Sequence, residues 1–211
     1  MKPLSLTLMA GALLLAGVAT AQAQSAQDYA SPGFYAALGY GSVDPKSNNG
    51  VLAGTFHSSI NSDAEPTLTL GYRFDGGWGA EAWFPVTKFQ HDVSLDGARS
   101  ASIKHMPVLL TGQYHFLGDQ AWQPFVGLGY GWVNVSGERT TGPIAGTSLR
   151  VGNASGFVAQ AGLDYFATPN VFLRADVKYF DWRSNVALNG AGIGRVTVNP
   201  LIYGVSIGYK F

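Results

Sequence analysis

Alternation with a period of two runs through this sequence from residue 34 to residue 211, and no other feature constrains its fold as strongly. Successive side chains of an extended strand point to opposite faces, so the pattern describes strands with one apolar and one polar side. Eight segments carry it: 34–43, 65–74, 78–89, 102–116, 122–135, 155–166, 171–184 and 195–211. Each is about 10 residues or longer, the length of a tilted strand that crosses a membrane. The connections alternate in length. Segments 75–77, 117–121 and 167–170 are tight; 44–64, 90–101, 136–154 and 185–194 are long and polar. Short turns at one end and long loops at the other describe an outer-membrane barrel with its turns in the periplasm. The expected fold is therefore all-β: an eight-stranded antiparallel transmembrane β-barrel with short periplasmic turns and long extracellular loops.

Alternation does not by itself say which face is inside. Tyr203, Val205, Ile207, Tyr209 and Phe211 share one side of the last segment, and Gly204, Ser206, Gly208 and Lys210 the other. In a soluble barrel the apolar side would point inward. Two features place it outward. Phe74, Trp78, Phe116, Trp122, Tyr165, Tyr209 and Phe211 cluster at the turn ends of the apolar faces, as an interfacial girdle does. The opposite faces mix both charge signs in mid-strand: Arg73, Glu81, Asp164, Arg174, Asp176 and Lys178. Facing lipid near the midplane, a basic side chain costs roughly 2–4 kcal/mol. Inside a narrow barrel the two signs can pair, so these six are expected to form a lumen plug. Eight strands enclose only enough space for side chains, which excludes a wide diffusion pore.

Composition agrees. Charged residues make up only 12% of the chain, against roughly 25% in a soluble domain. Lys+Arg and Asp+Glu are 13 each, so no basic excess points to nucleic acid. There is no cysteine, which removes disulfides and thiolate sites. Met1-Lys2, an apolar stretch to Ala19 and Ala21-Gln22-Ala23 read as a signal peptide over residues 1–23. A short periplasmic segment (24–33) and the barrel (34–211) are expected to follow. Loss of Lys2 leaves 12 basic against 13 acidic residues.

Nothing suggests an enzyme. The four histidines show no metal spacing, and no G-x-S-x-G elbow is present. His105 and His115 lie ten apart on one segment, too far to share an ion. These histidines are expected to be polar lumen or loop residues, with no catalytic, cofactor or metal site. Gly127-Leu128-Gly129-Tyr130-Gly131 sits within a strand, not before a helix, so its glycines thin the lumen rather than hold phosphate.

The order of several motifs resembles the outer membrane protein W (OmpW) family. They are Ile103-Lys104-His105-Met106-Pro107 with Gln113-Tyr114-His115-Phe116, then Pro124-Phe125-Val126-Gly127-Leu128-Gly129. Gly162-Leu163-Asp164-Tyr165-Phe166, Asp176-Val177-Lys178-Tyr179, Val198-Asn199-Pro200 and Gly208-Tyr209-Lys210-Phe211 follow. The resemblance implies an eight-stranded barrel for passage of small, mostly hydrophobic solutes across a Gram-negative outer membrane. It also implies that the terminal strand, with Tyr209 and Phe211, is read by the barrel assembly machinery. Outer-membrane lipid is the expected surrounding, and the oligomeric state stays open.

Two prolines suggest a route. Pro85 and Pro107 lie on adjacent segments at similar height, near the upper part of the apolar band. A flaw in the wall there would be a lateral opening, reached past the inward apolar groups Trp83, Leu109 and Phe125. The alternatives are a structural, stress-related or surface-receptor barrel without transport, and a narrow ion channel.

Overall fold

The computed structural model describes residues 29–46 and 48–211, so the expected signal peptide lies outside the described residues. Fourteen strands follow in chain order: β1 (Gly33–Asp44), β2 (Val51–Leu52), β3 (Phe56–Ile60), β4 (Asp63–Arg73), β5 (Trp78–Pro85), β6 (Phe89–Leu95), β7 (Ala98–His115), β8 (Trp122–Thr140), β9 (Leu149–Val151), β10 (Ala154–Phe166), β11 (Val171–Phe180), β12 (Arg183–Leu188), β13 (Ala191–Thr197) and β14 (Leu201–Lys210). Eight of them close a barrel in the order β1-β4-β5-β7-β8-β10-β11-β14, all antiparallel. Closure comes from β14 pairing back onto β1, from Tyr35↔Lys210 to Asp44↔Leu201, so no barrel edge is left open.

The face assignment holds. Leu38, Leu70, Leu110, Leu128, Phe157, Val205 and Ile207 are exposed, with Leu128 and Phe157 both at 74%. Arg73, Glu81, Gln113, Gln160, Asp164, Arg174 and Lys178 are buried within the barrel. A surface this apolar needs lipid as its solvent. From Phe116 to Val108 the exposed face of β7 climbs on the order of 20 Å, close to the height of a membrane band. The turn-end aromatics Phe74, Trp78, Phe116, Trp122, Tyr209 and Phe211 all face outward.

The lumen is filled rather than open, and glycine makes the filling possible. A Cβ on Gly208 would lie 2.2 Å from the Phe172 ring, and one on Gly162 would lie 2.6 Å from the Phe125 ring. Both glycines face inward, so each clears the space that an aromatic ring from a neighbouring strand occupies.

The long connections differ from the expectation of loops. Segment 44–64 holds β2 and β3, segment 90–101 holds most of β6 and the start of β7, segment 136–154 holds the end of β8 and β9, and segment 185–194 holds most of β12 and the start of β13. β2, β3 and β6 extend the barrel sheet upward along β7, while β9, β12 and β13 form a separate three-stranded sheet. Backbone bonds from Ala53 to Ile193 (2.8 Å) and from Thr197 to Asn49 (2.9 Å) tie the two together.

Three expected strands are also broken. Segment 78–89 divides at Pro85, 171–184 divides at Asp181-Trp182, and 195–211 divides at Val198-Asn199-Pro200. Proline explains the first and third, since it removes a ladder donor. At Asp181-Trp182 the Trp182 N–H turns to the Asn199 side chain at 3.0 Å.

Candidate functional site: plug, cavity and wall gap

The lower lumen is a charged network built from inward positions of neighbouring strands. Arg174 donates from Nε to Asp164 Oδ1 (2.6 Å) and also pairs with Glu81. Arg73 reaches Asp164 Oδ2 at 2.5 Å and Gln123 Oε1 at 3.0 Å. The Tyr35 hydroxyl donates to Glu81 at 2.9 Å. Gln160 donates to both Glu81 and Asp176 at 3.2 Å, and Lys178 pairs with Asp176. The six charged residues expected to meet therefore do meet, as three cations and three anions. Their charges cancel locally, which is what allows them to stay buried.

Phe125 belongs to this layer, which corrects its expected place on an apolar path. Its ring lies 4.6 Å from the Arg174 guanidinium carbon and 4.7 Å from the His115 ring. Alternation correctly gave its face, but its height, only three residues above Trp122, sets it among the charges. Trp83 and Leu109 do lie in an apolar layer above. Lys178 Nζ sits 5.2 Å from the Trp83 ring, marking the boundary between the polar and apolar halves.

Above that boundary one continuous apolar cluster joins Trp83, Leu109, Phe180, Phe89, Trp182, Val186, Val196 and Val198. It leads to a cavity of about 400 Å³ among the long hairpins. Leu52, Phe56, Ile103, Leu149, Trp182 and Ile193 are among its walls. Sequence reasoning assigned Leu52, Phe56, Leu149 and Ile193 to loops, with only Ile103 and Trp182 on expected strands, and so missed the cavity. The signal was present in Val93-x-Leu95 and Val196-x-Val198, which keep the alternation going beyond the membrane band.

The wall is interrupted where the prolines lie. β5 pairs with β7 only as far as Trp83↔Leu109, and β6 resumes at Phe89↔His105. Five residues on one side (84–88) therefore face three on the other (106–108) without pairing. The hydrogen-bond phase explains the break. Val86 N–H bonds Pro66 O at 2.8 Å, so even-numbered backbone groups of β5 face β4 and odd-numbered ones face β7. Phe116 N–H bonds Pro124 O at 2.8 Å, so odd-numbered groups of β7 face β5. Extending the register by two residues sets Pro85 opposite Pro107 in a pair that would exchange both N–H···O bonds. Neither proline has an N–H, so both bonds are lost at one rung. Trp83 and Leu109 form the lower lip of this gap, and Phe89 and His105 the upper lip.

His105 is not a polar-lumen residue as expected. It is fully buried in an aromatic stack with Phe89 (5.4 Å), His91 (4.8 Å) and Trp182 (4.9 Å). His115, by contrast, does sit in the polar lumen, with Nε2 at 3.0 Å from Gln113 Oε1.

Known proteins share this architecture. The chain is 30% identical over 192 residues to outer membrane protein W of Vibrio cholerae, covering 84% of this chain and 88% of that protein. It is 26% identical over 160 residues to outer membrane protein AlkL of Ectopseudomonas oleovorans, covering 72% and 68%. The crystal structure of the outer membrane protein OprG from Pseudomonas aeruginosa superposes with a TM-score of 0.77 at 27% identity, covering 89% of this chain and 99% of that one. The OmpW family model matches residues 34–211, the whole barrel with its hairpins, and the chain belongs to the OmpW family of outer-membrane β-barrels.

Proposed function

We propose that this outer-membrane protein passes small, mostly hydrophobic solutes from outside the cell into the outer leaflet, with lateral exit between β5 and β7. One observation carries the reading: an apolar cavity is joined by an unbroken apolar cluster to a rung of the wall that two prolines leave unbonded. The charged network below the gap supports a sideways exit, because an apolar solute moving straight down would have to displace paired ions. The throat is filled by Phe89, His105 and Trp182 at rest. Passage therefore requires ring rotation, and an ion finds no standing water path.

Cells making the protein should take up a fluorescent apolar probe several times faster than cells lacking it. The purified barrel should show little ion conductance in a planar bilayer. Conductance without probe uptake would favour a narrow ion channel, and neither signal would favour a structural or surface-receptor role.

The barrel assembly machinery is the partner we assign to the terminal strand. Tyr209 and Phe211 share its outward face with ring centroids 5.1 Å apart, and Phe211 N–H closes the seam on Phe34 O at 2.8 Å. Deleting Phe211 should lower the amount of heat-stable barrel recovered from outer membranes severalfold. Recovery equal to the full chain would count against recognition of this end.

A further inference from the structure

The throat contains polar atoms that a purely apolar path does not explain. Among the described residues, both ring nitrogens of His105 and Nε2 of His91 are buried without a hydrogen-bond partner. A buried donor or acceptor left unmade loses its hydration without replacement, so apolar side chains would be the more stable filling. The two imidazoles stack in parallel, 4.8 Å apart with planes inclined by 4°, from the floor of the cavity down to the upper lip of the gap, which His105 itself forms with Phe89. Ile103, which lines the cavity, pairs with His91, and Trp182, which also lines it, packs on His105.

The chemistry of these nitrogens is partly fixed. His91 Nδ1 lies 2.5 Å from the backbone oxygen of Asn61, which can only accept, so Nδ1 carries the proton. His91 Nε2 is then a lone-pair acceptor in the neutral ring. Burial holds this imidazole below its ordinary pKa, in favour of the neutral form. Neutral His105 offers one donor and one acceptor. A metal ion does not fit, because a bound ion takes at least three protein ligands and this pair offers two. The described residues also hold no cluster of three or more ligating side chains. A carboxylate does not fit either: it would enter an apolar stack without a cation, since Lys88 and Lys104 point outward. A hydroxyl group, at once donor and acceptor, matches what the pair offers.

We propose that His91 and His105 form a hydrogen-bonding station for the hydroxyl of an uncharged, otherwise apolar solute of the medium-chain alcohol class, held at the throat before lateral exit. The inference rests on the proposed passage of apolar solutes, and it names a class of solute that the throat selects. The station gives such a solute a place to leave its hydration shell, and gives the orphaned nitrogens a partner.

The test uses the full barrel in lipid nanodiscs with ¹⁵N-labelled histidine, titrated with octanol or octane at equal mole fraction in the lipid. Octanol should move the His91 Nε2 resonance toward the hydrogen-bonded range, and octane should leave it in place. Equal response to both, or to neither, overturns the proposal and leaves water as the partner of these nitrogens. In cells, His105→Phe should lower octanol uptake relative to octane by about fivefold, the worth of one neutral hydrogen bond. An unchanged ratio overturns selection at this point. An octanol-specific shift in a barrel that carries neither solute would sustain the station and sink the transport reading, so the two failures are distinguishable.

Discussion

Replacing Arg174 by methionine is expected to destabilise the barrel by about 3–5 kcal/mol, as removal of one partner from a buried ionic network does. Arg174 holds two carboxylates at once, Asp164 and Glu81, and is almost completely shielded from solvent. Asp164 keeps Arg73, but Glu81 is left with neutral hydrogen-bond partners, among them the Tyr35 hydroxyl and the Gln160 amide. The methionine fills similar space, so the loss is electrostatic rather than a cavity. The six-residue network then carries two cations against three anions. Changing Glu81 to glutamine in the same chain restores neutrality and should recover more than half of the loss. Urea unfolding of the barrel refolded into lipid vesicles measures both. A shift below about 0.5 kcal/mol for Arg174→Met, the range of an ordinary surface change, would mean that water reaches Glu81 and that the lumen is not plugged.

The membrane-spanning half of this fold was legible because lipid enforces it. Each barrel strand must bond both neighbours and show lipid an apolar face, so the period-2 pattern persists over eight crossings with little noise. The same rule made the buried ion pairs readable, since six charged residues on strands that cannot face lipid have only the lumen left. Above the band these constraints relax. β2 is two residues long and β9 three, and Gly50, Ala53, Gly54, Gly190 and Gly194 turn the chain between short strands, so no pattern accumulates there. Phe125 shows a different limit. Alternation gives a side chain's face but not its layer, and in a narrow lumen the layer decides whether a ring meets a solute or a guanidinium. For His105 the face was readable, but His91 fell in an expected loop, and the stack depends on the two-residue offset across the gap. That offset follows from proline chemistry at a rung whose partners are 22 residues apart.

Restoring that rung should close the exit. With valine at both Pro85 and Pro107, each position regains an N–H aimed at the carbonyl of the other. The β5–β7 ladder can then extend two residues beyond Trp83↔Leu109. Two new bonds are worth roughly 1 kcal/mol each by the usual net value, with no water at the lipid face to compete for them. The double variant should therefore be more stable to urea by about 1–3 kcal/mol. It should take up an apolar probe at close to the rate of cells without the protein. Either single valine restores one donor and should fall between. The remaining mismatch does not prevent closure, because Val86, Thr87 and Lys88 are exposed and can bulge outward above the new rung. The two readouts separate the outcomes. A barrel that gains stability and still carries the probe at the original rate has sealed this rung without closing the route, and lateral exit between β5 and β7 would then be wrong.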